Sequence, residues 1–218
     1  LDADFVHEIE HYRMGHASVR MNLALSGTPE FANIKGEAAA TALQSAITLL
    51  PDRATVERCY QAARAGELAP EPYVNIQVAS ALDDSLAPKG HHVMALLCKY
   101  YPYRLSGGRN WDDLKERVAD DILTAVERHI PNLKKLIVAR TVMSPVDIER
   151  VFGITEGDIF HGRHDLDQIF SLRPHPKSAQ YRTPVDRLYL CGSGAHPGGG
   201  VSGAPVHNAA RRMLRDLR

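Results

Sequence analysis

The sequence predicts an α+β fold, with a mixed or mainly antiparallel sheet and flanking helices. Three observations carry that expectation. Several stretches alternate apolar and polar residues with a period of two, as half-buried strands do. One long stretch repeats its apolar residues every four positions, the signature of a helix lying along a core. A turn-rich connection, ALDDSLAPKG, joins two of the strand stretches and makes them antiparallel neighbours.

The elements follow in order. In residues 18–27, Val19, Met21, Leu23 and Leu25 alternate with Arg20, Asn22 and Ala24, and Gly27-Thr28-Pro29 ends the strand. Residues 36–50 are rich in Ala and Leu and read as a weakly capped helix. Residues 52–65 are more helical: Val56, Tyr60 and Ala63 share a face and Gly66 stops it. Residues 73–80 alternate through Val74, Ile76 and Val78. Residues 92–105 read as a long strand, with Pro102 marking an edge or a bulge. Residues 111–129 are the clearest helix. Leu114, Val118, Ile122 and Val126 form its stripe, Asn110 is the cap, and Asp112 and Asp113 suit the positive N-terminus. Residues 133–143 read as a strand. Ser144-Pro145-Val146-Asp147 then starts a short helix that Gly153 closes. Near the end, residues 188–191 read as a buried strand with Cys191 as a small core residue. A glycine tract follows, then a helix over residues 205–214 with Ala209, Ala210, Met213 and Leu214 toward the core.

Composition narrows the function. The chain has 218 residues, 44% hydrophobic and 24% charged, ordinary values for a folded domain. Lys and Arg total 26 and so do Asp and Glu, which argues against a nucleic-acid partner and a polybasic membrane anchor. No run reaches the length of a transmembrane helix. The three cysteines, Cys59, Cys98 and Cys191, are widely spaced, and a reducing compartment is the simpler reading. The cytoplasm of a bacterium, or the mitochondrion of a eukaryote, meets that description. The sequence is compatible with a homo-oligomer.

Strand, glycine loop and helix together bring backbone close to a ligand, because glycine removes the Cβ atoms that would block the approach. A plain glycine-rich turn is the alternative reading. The tract is no dinucleotide fingerprint: Gly192-Ser193-Gly194 opens like G-x-G-x-x-G, but Pro197 occupies the sixth position. Nor is it a hydrolase elbow. Ala204 replaces the last Gly of G-x-S-x-G around Ser202, and Cys191 replaces the first around Ser193. His161-Gly162-Arg163-His164-Asp165 lacks a matching set of ligands elsewhere, so no metal site is expected. Tyr100, Tyr101 and Tyr103 alternate faces, and aromatic strand residues of this kind are core or cavity lining. Arg182 reads as the fastener of a Pro-rich turn.

The segment YRTPVDRLYLCGSGAHPGGGVSGAPVHNAARRML resembles the C-terminal flavin-contacting motif of the phytoene desaturase-like FAD-dependent oxidoreductases. SLAPKGHHVMALLCKYYPY, SPVDIERVFGITEGDIFHG and LDQIFSLRPHP resemble the same family. The resemblance implies a substrate-binding domain over residues 1–180 and an FAD-contacting segment over residues 181–218 that returns to an N-terminal dinucleotide-binding unit. That unit is absent from this sequence, so the chain is expected to be the C-terminal portion of a larger flavoenzyme and to hold FAD weakly alone. The implied cofactor contacts are Gly192, Ser193 and Gly194 near the ribityl and pyrophosphate groups, and His196, Pro197, Gly198, Gly199, Gly200 and Val201 near the ring. His161 and Tyr101 are implied substrate-cavity residues. The substrate would be an apolar small molecule giving hydride to the flavin, and no general base is evident. A non-catalytic ligand-binding or protein-interaction module of the same fold is the alternative. The missing dinucleotide fingerprint and Val206, which stands where Gly is usual, motivate it; Ser193, where many relatives carry an acid, is a second departure from the family pattern.

Overall fold

The computed structural model describes Leu1, residues 3–15 and residues 17–218. Two compact units divide the chain: His16–Gly153, and Leu1–Gly15 together with Ile154–Arg218.

The first of these contains one five-stranded, wholly antiparallel sheet. In chain order its elements are β1 (Ser18–Leu25), α2 (Gly36–Leu43), β2 (Ile47–Leu49), α3 (Arg53–Arg64), β3 (Tyr73–Gln77), β4 (His92–Lys99), α4 (Trp111–Glu127), α5 (Leu133–Leu136), β5 (Ile137–Met143) and α6 (Pro145–Phe152). An α1 (Ala3–Glu10) precedes them and belongs to the other unit. The strand order is β2-β3-β4-β1-β5. The α+β class with a mainly antiparallel sheet is therefore what the chain adopts.

Register explains the packing. Met21 lies opposite Leu96 and Val142, and Leu96 lies opposite Ile76, so one row of side chains crosses four strands on a single face. That face buries Val19, Leu23, Val74, Met94 and Cys98 against Val118, Ala119, Ile122, Leu123 and Val126 of α4. A fully buried Leu or Ile is worth ~1.5–3 kcal/mol over an exposed one, so this layer supplies most of the unit's stability. Burial pushes the Cys98 thiol up to about 12, which makes it packing rather than reactive sulfur.

Several expectations differ in detail. Residues 92–105 stop being a strand at Lys99, because Tyr100 takes a left-handed φ of 65° ahead of Pro102. Residues 36–50 are a helix followed by β2, a three-residue edge strand with too few residues to show periodicity. Residues 133–136 form a helical turn before β5. The Ser144 capping box is present as expected: the Ser144 side chain accepts from the Asp147 backbone N–H, Asp147 accepts from the Ser144 backbone, and Gly153 closes α6 at φ 67°.

Candidate functional site

The second unit has little regular structure. It holds α1, three short 3-10 turns and α7 (Ala204–Asp216). Its apolar cluster is small: Tyr181, Ala195 and Ala209, with Leu190 against them. Polar contacts do the rest. Arg173 is completely buried, and no carboxylate lies within ion-pair distance of it among the described residues. Backbone carbonyls surround its guanidinium instead. Nε donates to Ser193 O at 3.0 Å, Nη1 to Arg163 O at 3.3 Å and Gln168 O at 3.4 Å, and Nη2 to Gly162 O at 3.1 Å and to Phe160 O. One side chain thus ties residues 160–168 to the glycine loop.

The same segment is fastened to residues 12–15. Gln168 accepts from Arg13 N at 2.9 Å and donates to Arg13 O at 2.8 Å. The buried Asp158 carboxylate accepts from the N–H groups of Gly15, Phe160 and Gly162 at 2.9, 3.0 and 3.2 Å. The Tyr12 ring fills the space where a Cβ on Gly162 would stand, and burial pushes its phenol above the ordinary value despite the neighbouring Arg173.

These contacts bring together most of the predicted site. His161 is exposed, and its Cβ lies 3.5 Å from where a Cβ on Gly194 would be. His164 and Arg173 flank Gly198 in the same way at 3.9 Å, and Ser193 and Phe160 flank Gly199. The His161–His164 stretch is therefore the neighbour of the glycine loop. Tyr101 is elsewhere: it belongs to the sheet unit, buried edge-on against Trp111 at 6.1 Å, where it also lines a cleft of about 480 Å³ with Leu68, Val118 and Ile122.

The segment before the loop departs from its expectation. Residues 188–191 form no strand, and among the described residues they make a single bridge, Tyr189 with Arg182. Leu188 is 51% exposed and Cys191 is exposed too, so neither is core. A strand needs a neighbour to pair with, and the turn at Arg182 offers a single residue. Arg182 does fasten this turn: it forks Asp216 at the end of α7, with Nε donating at 2.6 Å, and the Tyr189 hydroxyl donates to the same carboxylate at 2.8 Å. The Arg182 hydrogen bonds hold Asp216 at about 2, so the pin stays ionised. Along α7 only Pro205 and Ala209 are buried. Val206, Met213, Leu214 and Leu217 form an exposed apolar stripe instead.

The loop has the form of a backbone cradle. Gly192 and Gly200 sit at φ 98° and 124°, where an L side chain is strained, and no heavy atom lies within 4 Å of the place a Cβ would occupy at either. Val201 at the loop's end is fully exposed at φ 57°. Backbone there is open to an approaching ligand, and the N-terminus of α7 follows directly. Those features fit a cofactor held by main chain.

The sheet unit carries a second concave surface. On the face opposite α4, β1, β4 and β5 present Asn22 and Ala24, Val93 and Ala95, and Ala139 and Thr141. They line an open, mostly apolar groove of about 470 Å³, within the range of small-molecule sites. Sequence alternation set Asn22 and Ala24 apart from the apolar face, and only the absence of large side chains at the other positions could have hinted at a groove.

No family model matches the chain. Pyridine nucleotide-disulfide oxidoreductase domain-containing protein 2 of Rattus norvegicus is 38% identical over all of the chain and 38% of its own length, and the Mus musculus protein matches equally. The chain thus spans 38% of the length of these curated relatives. Phytoene desaturase (lycopene-forming) of Pantoea ananas is 29% identical over 62% of the chain and 27% of its own length. The chain is thus similar over its whole length to pyridine nucleotide-disulfide oxidoreductase domain-containing protein 2, and over part of its length to phytoene desaturases.

Proposed function

We propose that this chain is the substrate-domain portion of an FAD-dependent oxidoreductase acting on an apolar small molecule. The observation that carries the reading is the glycine loop, whose outward backbone at Gly192 and Gly200 leaves room that only a close-lying ligand would use. Gly192, Ser193, Gly194, His196 and Pro197 through Val201 would hold the cofactor, chiefly by main chain. FAD, when bound, supplies the acceptor for a hydride from the substrate. The residues of the chain supply position. Arg173 fixes Ser193 through its carbonyl, so the loop is set in advance and need not reorganise on binding. The groove at Ala24, Ala95 and Ala139 offers an apolar substrate a surface that sheds water, and Asn22 and Thr141 give it two polar points for orientation. The exposed stripe on α7 supports a packing partner in a longer protein.

The test is cofactor uptake by the protein expressed from its whole coding sequence. The expected result is a yellow protein with a flavin spectrum, bleached anaerobically by substrate. A folded, full-length protein that stays colourless with added FAD overturns the reading. The second reading, a non-catalytic binding or interaction module, draws on the lack of a G-x-G-x-x-G fingerprint in this sequence and on the half-exposed Val206 in the first turn of α7. Saturable binding of apolar ligands by a protein that takes up no flavin would favour it.

A further inference from the structure

Along α7, Asn208, Arg211, Arg212 and Arg215 follow the helical spacing of i, i+3, i+4 and i+7, so all four lie on one stripe. At 100° per residue this stripe falls on the flank opposite the apolar one at Val206, Met213 and Leu217. A partner covering the apolar flank would leave it open. Together with Gln180 and His196 the stripe lines a polar cavity of about 270 Å³.

The electrostatics of this cavity are one-sided. Arg211 and Arg215 have no carboxylate within ion-pair distance among the described residues. Arg212 has Asp216 at 3.4 Å, but that carboxylate already takes the fork of Arg182 and the Tyr189 hydroxyl, and no hydrogen bond satisfies the buried Arg212 Nε. His196 Nδ1 is also buried without a hydrogen-bond partner. Three guanidinium groups in five positions are a local excess in a chain whose formal net charge is zero. Buried polar atoms without partners are unfavourable, and an anion with several acceptor oxygens would satisfy them together.

We propose that this cavity binds a phosphoryl or pyrophosphoryl group. Guanidinium forks match phosphate oxygens in pairs, and the amides of Gln180 and Asn208 add neutral donors. The volume is slightly below that of a pocket for a drug-sized ligand, and suits a head group. The site lies along the middle and last turns of α7, not at its N-terminus, and it shares His196 with the proposed cofactor loop, so titration with and without FAD is needed to tell the two apart.

Calorimetric titration of the full-length protein with sodium phosphate and sodium pyrophosphate tests this. Saturable binding is expected, tighter for pyrophosphate and weakening as salt rises. The double variant R211Q/R215Q, altered at two exposed positions and checked by circular dichroism, should lose at least about tenfold in affinity, since it removes two of the charge-assisted donors. Lys135→Gln, which removes one exposed charge in the sheet unit, should leave affinity unchanged. A parallel titration with FAD present distinguishes the source. Pyrophosphate that still binds points to a separate phosphorylated ligand, and pyrophosphate displaced by FAD assigns the group to the cofactor. Absence of saturable binding, or equal binding by R211Q/R215Q, overturns the proposal.

Discussion

The two units of this chain are held together by different physics. In His16–Gly153 a contiguous apolar layer lies between the sheet and α4, with Met21, Leu96, Ile122 and Val126 almost wholly out of water. In the unit formed by the first fifteen residues and residues 154–218, three residues make up the buried apolar cluster, and the weight rests on Arg173, Asp158 and Gln168 bonded to main chain. Apolar packing tolerates a swap of similar volume. A polar hub depends on each bond, since a buried acceptor left unmet costs ~1–3 kcal/mol. The unit that carries the candidate cofactor loop is therefore the one whose geometry is specified bond by bond.

The largest test of this contrast is Leu96→Ala. Leu96 is fully buried at the centre of the sheet, opposite both Met21 and Ile76. The expected loss is about 2–5 kcal/mol, from transfer and cavity terms together. Thermal or denaturant unfolding measures it, and hydrogen exchange should show the loss across β1, β3 and β4. Leu96→Met, near in volume, should cost less than about 1.5 kcal/mol. If both substitutions cost the same, shape rather than apolar volume governs this unit, and the contrast weakens.

Arg173→Met comes next. It keeps the apolar stem and removes every donor, so the carbonyls of Phe160, Gly162, Arg163, Gln168 and Ser193 lose a partner in one step. About 3 kcal/mol is expected if water meets some of them and the others remain unmet. Limited proteolysis should show new cleavage in residues 160–200, while exchange rates in the sheet stay unchanged. Loosening of the sheet by the same amount would show that the two units unfold as one.

That same divide decided what was legible in the sequence. Period-two alternation located β1 and β3, and the four-residue stripe located α4, because a one-sided apolar layer writes itself into spacing. The capping box at Ser144 was equally legible, since it rests on local bonds. Arg173 was not. Its role depends on five carbonyls from segments 5 to 20 residues away, none of which has a side-chain signature. Residues 188–191 misled for a related reason: LYLC has the composition of a buried strand, yet strand and burial both require a neighbour that composition does not report. The 12–15 contact with residues 158–168 was invisible because backbone N–H groups make half of it. The glycine loop was legible as a loop, while its neighbour, His161, came only from family resemblance.

The smallest effect separates the units by acid. In the sheet unit Asp147 loses some ease of ionisation to burial. It regains more from the Ser144 backbone N–H at 2.9 Å, from Lys115 at 2.9 Å and from the Ser144 hydroxyl, and its carboxyl lies below the ordinary value. A depressed folded value means that the stabilisation is whole above the unfolded carboxylate value of ~3.9 and is lost as pH falls through the folded one. Asp147→Asn should therefore cost about 1 kcal/mol near neutral pH, a typical cap magnitude, and progressively less as the wild-type carboxylate protonates. In the other unit the Asp216 carboxylate, held at about 2 by Arg182, stays charged further into acid. Titrating carboxyl resonances from pH 5 downward should show Asp147 protonating before Asp216. The reverse order would mean that the Arg182 fork is looser than the cap, and that the turn leading into the glycine loop is the first part of the molecule released by acid.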